Sequence, residues 1–202
     1  MSFDAGFDEP AFRRSVEKAR KSAEDTAHFI VAAKARNDWE SHRPGVELIF
    51  YLALVDYETK VLVHRLMTSP DDRYVWEKYL ALHLHEALQK VPKRVSEAIR
   101  EMGRPGAASH APPASYLLAS RVLKDDLKLI HADKEFMTAL RQIRNSVAAH
   151  HGGKGETSMD ASVYWMLTSS QGVSQGRSPL RSQILEYATR MARAVQDFAH
   201  AL

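Results

Sequence analysis

Over most of this chain apolar residues recur at the three- and four-residue spacing of a helix. Phe12, Val16, Ala19, Ala23, Ala27 and Ile30 share one face, with Arg13, Arg14, Lys18, Lys21 and Asp25 opposite. This predicts an amphipathic helix that starts at Asp8-Glu9-Pro10 and runs to about Glu40, with Glu17 and Lys21 paired one turn apart. Pro44-Gly45 is read as a break, followed by a second helix over Val46 to Met67. Because Leu48 to Val55 is apolar all round, that helix is expected at the centre of the core. Ser69-Pro70-Asp71-Asp72 reads as a cap and restart, and Trp76, Leu80, Leu84, Ala87 and Val91 give a third helix its buried face. Pro92 predicts a kink or split there, with Lys93 to Met102 continuing.

Gly103 to Pro113 is a loop by composition, and a fourth helix follows from about Pro113 to Ala132 with Leu123, Leu127 and Ile130 inward. Asp133 is placed to cap a fifth helix, Lys134 to about His151; without that cap the two would merge. Phe136, Leu140, Ile143 and Val147 form the stripe that docks the fifth helix. Residues 152–177 hold five of the nine glycines and the apolar run Val163 to Leu167. They read as irregular, either a substrate-facing flap or a packed excursion. Ser178-Pro179 then starts a last helix over 178–202, whose inner face carries Ile184, Ala188, Met191, Val195, Phe198 and Leu202. The expected fold is all-α, a bundle of five to six helices in a single domain over residues 1–202.

Composition narrows the function. Cysteine is absent, which removes disulfides and thiolate metal sites and fits a reducing cytoplasm. A net charge of +3 is compatible with a polyanionic partner. The acidic residues 1–10 lack the apolar run of a secretory leader, and Leu48 to Val55 falls far short of the ~20 residues that span a bilayer. No phosphate-binding loop, dinucleotide fingerprint, nucleophile elbow or zinc-protease motif is present. His83-Leu84-His85-Glu86 lacks the second Glu-x-x-His helix that a di-iron bundle requires, so interhelix or surface polar contacts are expected there.

The densest chemistry is Arg144-Asn145-Ser146-Val147-Ala148-Ala149-His150-His151, closed by Gly152-Gly153. At 100° per residue Arg144 and His151 fall within about 20° of each other, beside the apolar stripe, while His150 turns back towards it. The bland reading makes His150 a core imidazole, His151 a residue favoured by the helix dipole and Arg144 a surface cation.

The run R-N-S-V-A-A-H resembles the R-x4–6-H motif of the HEPN (higher eukaryotes and prokaryotes nucleotide-binding) family, on Arg144, Asn145 and His150, with His151 also within the allowed spacing. The resemblance implies an all-helical homodimer that pairs two copies of the motif. It also implies a metal-independent endoribonuclease of toxin or abortive-infection type, with RNA as substrate, an antitoxin protein as possible partner, and neither cofactor, metal, membrane nor DNA. In that reading His150 or His151 transfers protons, Arg144 steadies the phosphate and Asn145 supports. Histidine titrates near neutrality and arginine keeps its charge in a fork that matches phosphate oxygens. The alternative is a non-catalytic helical module that binds a nucleotide or a protein partner.

Overall fold

The apolar stripes become six helices in a computed structural model that describes residues 7–36, 39–69, 71–104, 114–149 and 180–201, the side chains at 41, 73, 74 and 146–149 excepted. They are α1 (Glu9–Ala35), α2 (Trp39–Thr68), α3 (Arg73–Met102), α4 (Ala114–Ala132), α5 (Lys134–Ala149) and α6 (Leu180–Ala201). Among the described residues there is no strand, and the architecture is an all-α bundle.

The two central helices are α2, which packs on α1, α3 and α6, and α3, which packs on α2, α4, α5 and α6. One continuous apolar cluster joins α2 through α6. At its heart are Leu52, Leu80, Leu84, Leu140, Ile184 and Ala188, all without solvent exposure. The last turns of its inner face, Met191, Val195 and Phe198, carry the same cluster along α6. On α1, Phe12 packs against the cluster and Ala19, Ala23 and Ala33 are buried.

Several boundaries differ from the sequence reading. Helix α1 opens as expected, with the Asp8 carboxylate accepting from the Ala11 N–H at 2.9 Å, but it stops at Ala35, short of Glu40. The helix is capped by Arg36, whose N–H donates to the Ala32 carbonyl at 3.2 Å. Helix α2 begins at Trp39 and runs straight through Pro44-Gly45, where a break was expected. A proline so near the start deprives only the Glu40 carbonyl of its partner, and Glu40 is exposed, where water can serve. Gly45 lies where α2 crosses the end of α3, and a Cβ there would sit 3.9 Å from Met102 Sδ. Ser69 closes α2, its N–H donating to the Arg65 carbonyl at 3.0 Å. The start of α3 is formed by the Asp72 carbonyl, which accepts from Val75 and Trp76.

At Pro92 the expected split is absent, because α3 continues to Met102. Proline has no N–H for the Leu88 carbonyl four residues earlier. That acceptor is met from another helix: His131 Nε2, in the last turn of α4, lies 3.2 Å from it. Two residues on, Asp133 separates α4 from α5 as expected. One carboxylate oxygen caps α5 through the Phe136 N–H, and the other accepts from the Tyr187 hydroxyl of α6, each at 2.9 Å. Tyr187 also meets the Phe136 ring edge-on at 4.6 Å. Burial and the adjacent Asp133 push the Tyr187 phenol up to about 12.

Two buried carboxylates hold α6 from both ends. Arg181 donates to Glu77 of α3 at 3.0 Å, and Gln196 donates at 3.3 Å to Asp56 of α2, itself paired with Lys60 at 2.7 Å. Burial pushes both carboxyls, Glu77 and Asp56, above their ordinary values, against the pull of their cationic partners.

The Leu88–His131 contact yields a double-mutant test. His131→Ala leaves a buried carbonyl unpaired and is expected to cost about 1–3 kcal/mol in urea unfolding. In a Pro92→Ala background the restored N–H serves that carbonyl, so the same substitution should cost much less. Equal costs in the two backgrounds would remove this role for His131.

Candidate RNA-facing site

Helix α5 owes its orientation to the Asp133 cap behind it and to Phe136, Leu140 and Ile143, which are 1 %, 0 % and 3 % exposed. With that stripe fixed on the core, the residues three and four along from Leu140 and Arg141 fall where helical phase puts them. Arg141, Arg144 and Asn145 are all exposed. Arg141 and Arg144 stand three residues apart and so share a face. The Val147 side chain, the fourth member of the expected stripe, and His150 and His151 lie outside the described residues, so the choice between the two imidazoles is left as the sequence leaves it.

What the sequence reading missed is the neighbour of Arg144. Helix α5 packs on α3, and the charge of Arg144 acts on His85 and Glu86 there. His85 is 3 % exposed, its Nδ1 is buried without a hydrogen-bond partner, and its Nε2 lies 3.2 Å from Gln89 Nε2. Burial pulls its pKa below the ordinary histidine value, and the positive fields of Arg144, Arg141 and His131 pull the same way, against Glu86. Arg144 also helps to keep the Glu86 carboxyl low, after the stronger effect of its hydrogen bond from Lys90. Helices α4 and α5 both pack on α3, and the charges of Arg141, Arg144 and His131 all act on His85. The surplus of positive charge there is the electrostatic character that a phosphate favours.

His83, two residues before His85, takes a different role. Residues two apart on a helix point to different sides, and His83 turns to α2, its Nε2 2.9 Å from Thr59 Oγ1 and its Nδ1 3.4 Å from Glu58. Thr59 donates its own proton to the Val55 carbonyl at 2.6 Å, so His83 Nε2 is the donor in that contact. The His83-x-His85-Glu86 run therefore splits between two interfaces, in keeping with interhelix polar contacts. Among the described residues no cluster of three His, Asp or Glu side chains has the arrangement of a metal site.

The basic face of α1 is partly neutralised. Glu17 and Glu24 both pair with Arg20, where the sequence spacing suggested Glu17 with Lys21. The hydrogen bond from Arg20 holds the Glu17 carboxyl below its usual value. Arg13, Arg14, Lys18 and Lys21 stay exposed along that face. Among the described residues, no helix is long and apolar enough to cross a membrane. No protein-family model, curated protein or solved structure matches the chain.

The two buried histidines generate a pH prediction. Burial holds both His83 and His85 below the ordinary value of 6.5, so the fold favours their neutral forms. Their stabilising contribution is complete above that value and is lost as pH falls through it towards the lowered folded values, by up to about 1.4 kcal/mol per pH unit for each histidine. Urea midpoints taken from about pH 7.5 to about pH 5.5 should fall more steeply for the parent than for a His83→Gln, His85→Gln double variant. Parallel slopes would show that neither imidazole is held neutral by the fold.

Proposed function

We propose that this chain is a HEPN-like, metal-independent endoribonuclease of toxin or abortive-infection type. The observation that carries the reading is the exposed Arg141–Arg144 face of α5, set against His85 and His131 at the end of the helix that leads into His150 and His151. Guanidinium groups neutralise a phosphodiester without being consumed, and two of them on one helix face suit a backbone with successive phosphates. In the reaction the 2′-hydroxyl oxygen attacks the adjacent phosphorus and loses its proton to an imidazole of His150 or His151. The bond from phosphorus to the 5′-oxygen breaks, and that oxygen takes a proton from a second imidazole. The products are a 2′,3′-cyclic phosphate and a 5′-hydroxyl. Arg144 steadies the charge on the phosphorane oxygens, and Asn145 orients an imidazole or donates to a phosphate oxygen.

Two imidazoles in opposite protonation states are easier to assemble from two chains than from one, because each motif helix then supplies its own. The homodimer in this reading is supported by α4, which runs straight into the α5 cap. Its outward residues Leu118, Val122 and Leu129 are 64 %, 54 % and 55 % exposed and share one helical face. Asp125, paired with Lys128, falls on the same face, and a mixed apolar and charged surface of this kind suits a second copy of the chain. An enzyme of this kind acts on RNA in the cytoplasm and is held in check there by a partner antitoxin protein.

The test is cleavage of a mixed RNA pool in EDTA. The purified protein should release fragments ending in 2′,3′-cyclic phosphate, and an Arg144→Ala, His150→Ala, His151→Ala variant should lower the rate by about 100-fold or more. Cleavage unchanged in the variant would remove the enzyme reading. RNA bound without turnover by the parent would instead support a non-catalytic nucleotide-binding module. The dimer is checked separately by sedimentation velocity, in which Val122→Asp should shift the parent species to a monomer with its helical circular dichroism intact. A parent that already sediments as a monomer at tens of micromolar would contradict it.

A further inference from the structure

Where α1 passes α6 above α2 there is a cleft of about 190 Å³ whose walls include Phe12, Ser15, Lys60, Val63, Ala192 and Arg193. Its floor is unusual. Lys60 is a lysine with a side chain only 8 % exposed, and its ammonium spends one donor on Asp56 Oδ2 at 2.7 Å. An ammonium has three N–H donors, so two are left for an occupant of the cleft that it lines. Gln196 and Lys60 both donate to Asp56 Oδ2, while Asp56 Oδ1 is buried without a hydrogen-bond partner. A buried ion pair of this kind contributes little net stability, since the desolvation of both charges offsets their attraction. Its presence on the wall of a cleft is better explained by what it holds there.

The lining specifies the occupant. The charged residues of the lining, Lys60 and Arg193, are both cationic, which calls for a small anion; Asp56 pairs with Lys60, and Arg193 also borders Glu186 and Asp197 on a neighbouring groove. Phe12, Val63 and Ala192 supply an apolar wall that a bare inorganic ion would leave facing water. A nucleotide is too large for the space, as ligand sites of drug size run from roughly 300 Å³ upwards. We infer that this cleft binds a small monocarboxylate with a short alkyl tail, its carboxylate on Lys60 and Arg193 and its tail against Phe12, Val63 and Ala192. The occupant would join α1, which packs chiefly on α2, to α6. This site is independent of the nuclease reading.

The experiment is a calorimetric titration of the full chain with butyrate, with uncharged butyramide as control and thermal unfolding as a second readout. Butyrate is expected to bind one to one and raise the unfolding midpoint. Arg193→Ala, an exposed position whose loss leaves the core intact, should weaken binding by about tenfold or more. Ala192→Leu, which fills the cleft without touching a charge, should abolish it. No saturable butyrate binding, butyramide binding as tightly as butyrate, or affinity unchanged in Arg193→Ala would each overturn the assignment.

Discussion

The corner between α4 and α5 determines where everything after it points. Within three residues it makes contacts to three other elements: His131 to the Leu88 carbonyl of α3, and Asp133 to both the α5 backbone and Tyr187 of α6. Each contact supplies a partner that would otherwise be missing. The Leu88 carbonyl lacks its helical donor because Pro92 has none, the first N–H groups of α5 have no preceding turn, and the Tyr187 hydroxyl is drawn in beside Phe136. Leaving such groups unpaired costs more than the bonds themselves gain. The corner therefore admits few alternative geometries, and Arg144, eleven residues downstream on a rigid helix, inherits its position from it.

A second constraint acts on α6, which follows a long stretch of chain and must find its place by its own contacts. Apolar packing along Ile184, Ala188, Met191, Val195 and Phe198 is strong but tolerates a slide by one turn, since the stripe repeats. The Arg181–Glu77 and Gln196–Asp56 contacts do not repeat, and a slide would leave the buried Glu77 without its cation and Asp56 without one of its two donors. Polar groups here select the register while the apolar surface supplies the driving force. The same Asp56 that sets the register also orients Lys60 at the wall of the α1–α6 cleft.

Periodicity was enough to reveal the six helices and most of their inner faces, because a stripe such as Phe136, Leu140 and Ile143 has a single way to be buried. The Asp8 and Asp133 caps were legible for a similar reason: an acidic side chain just ahead of an apolar repeat acts locally. Pro44 misled as to a break and Pro92 as to a split, since their effect depends on whether the orphaned carbonyl finds water or a donor from another helix. No local pattern links Leu88 to His131, forty-three residues away. Of the candidate site, helical phase placed Arg144 beside the stripe, and it is exposed there; Asn145, which had no assigned position, is exposed as well. His85 was set aside as part of a weak metal pattern, and its place opposite Arg144 depends on how α3 and α5 pack. A histidine next to Leu84 and three residues before Leu88 was the available signal, but it acquires meaning only with its neighbours.

The proposed chemistry and the architecture meet at His85. It is buried, its Nδ1 is unpartnered, and the arginines of α5 disfavour its charged form. A phosphodiester seated on Arg141 and Arg144 would offset that field. The most direct test is an NMR titration of the His85 imidazole, alone and with a single-stranded RNA oligonucleotide made uncleavable by 2′-O-methylation. The account predicts that the oligonucleotide moves the His85 pKa upwards, towards the ordinary histidine value, and that Arg144→Ala removes most of this movement. A His85 titration that stays unchanged while the oligonucleotide binds would place the RNA elsewhere and contradict the account.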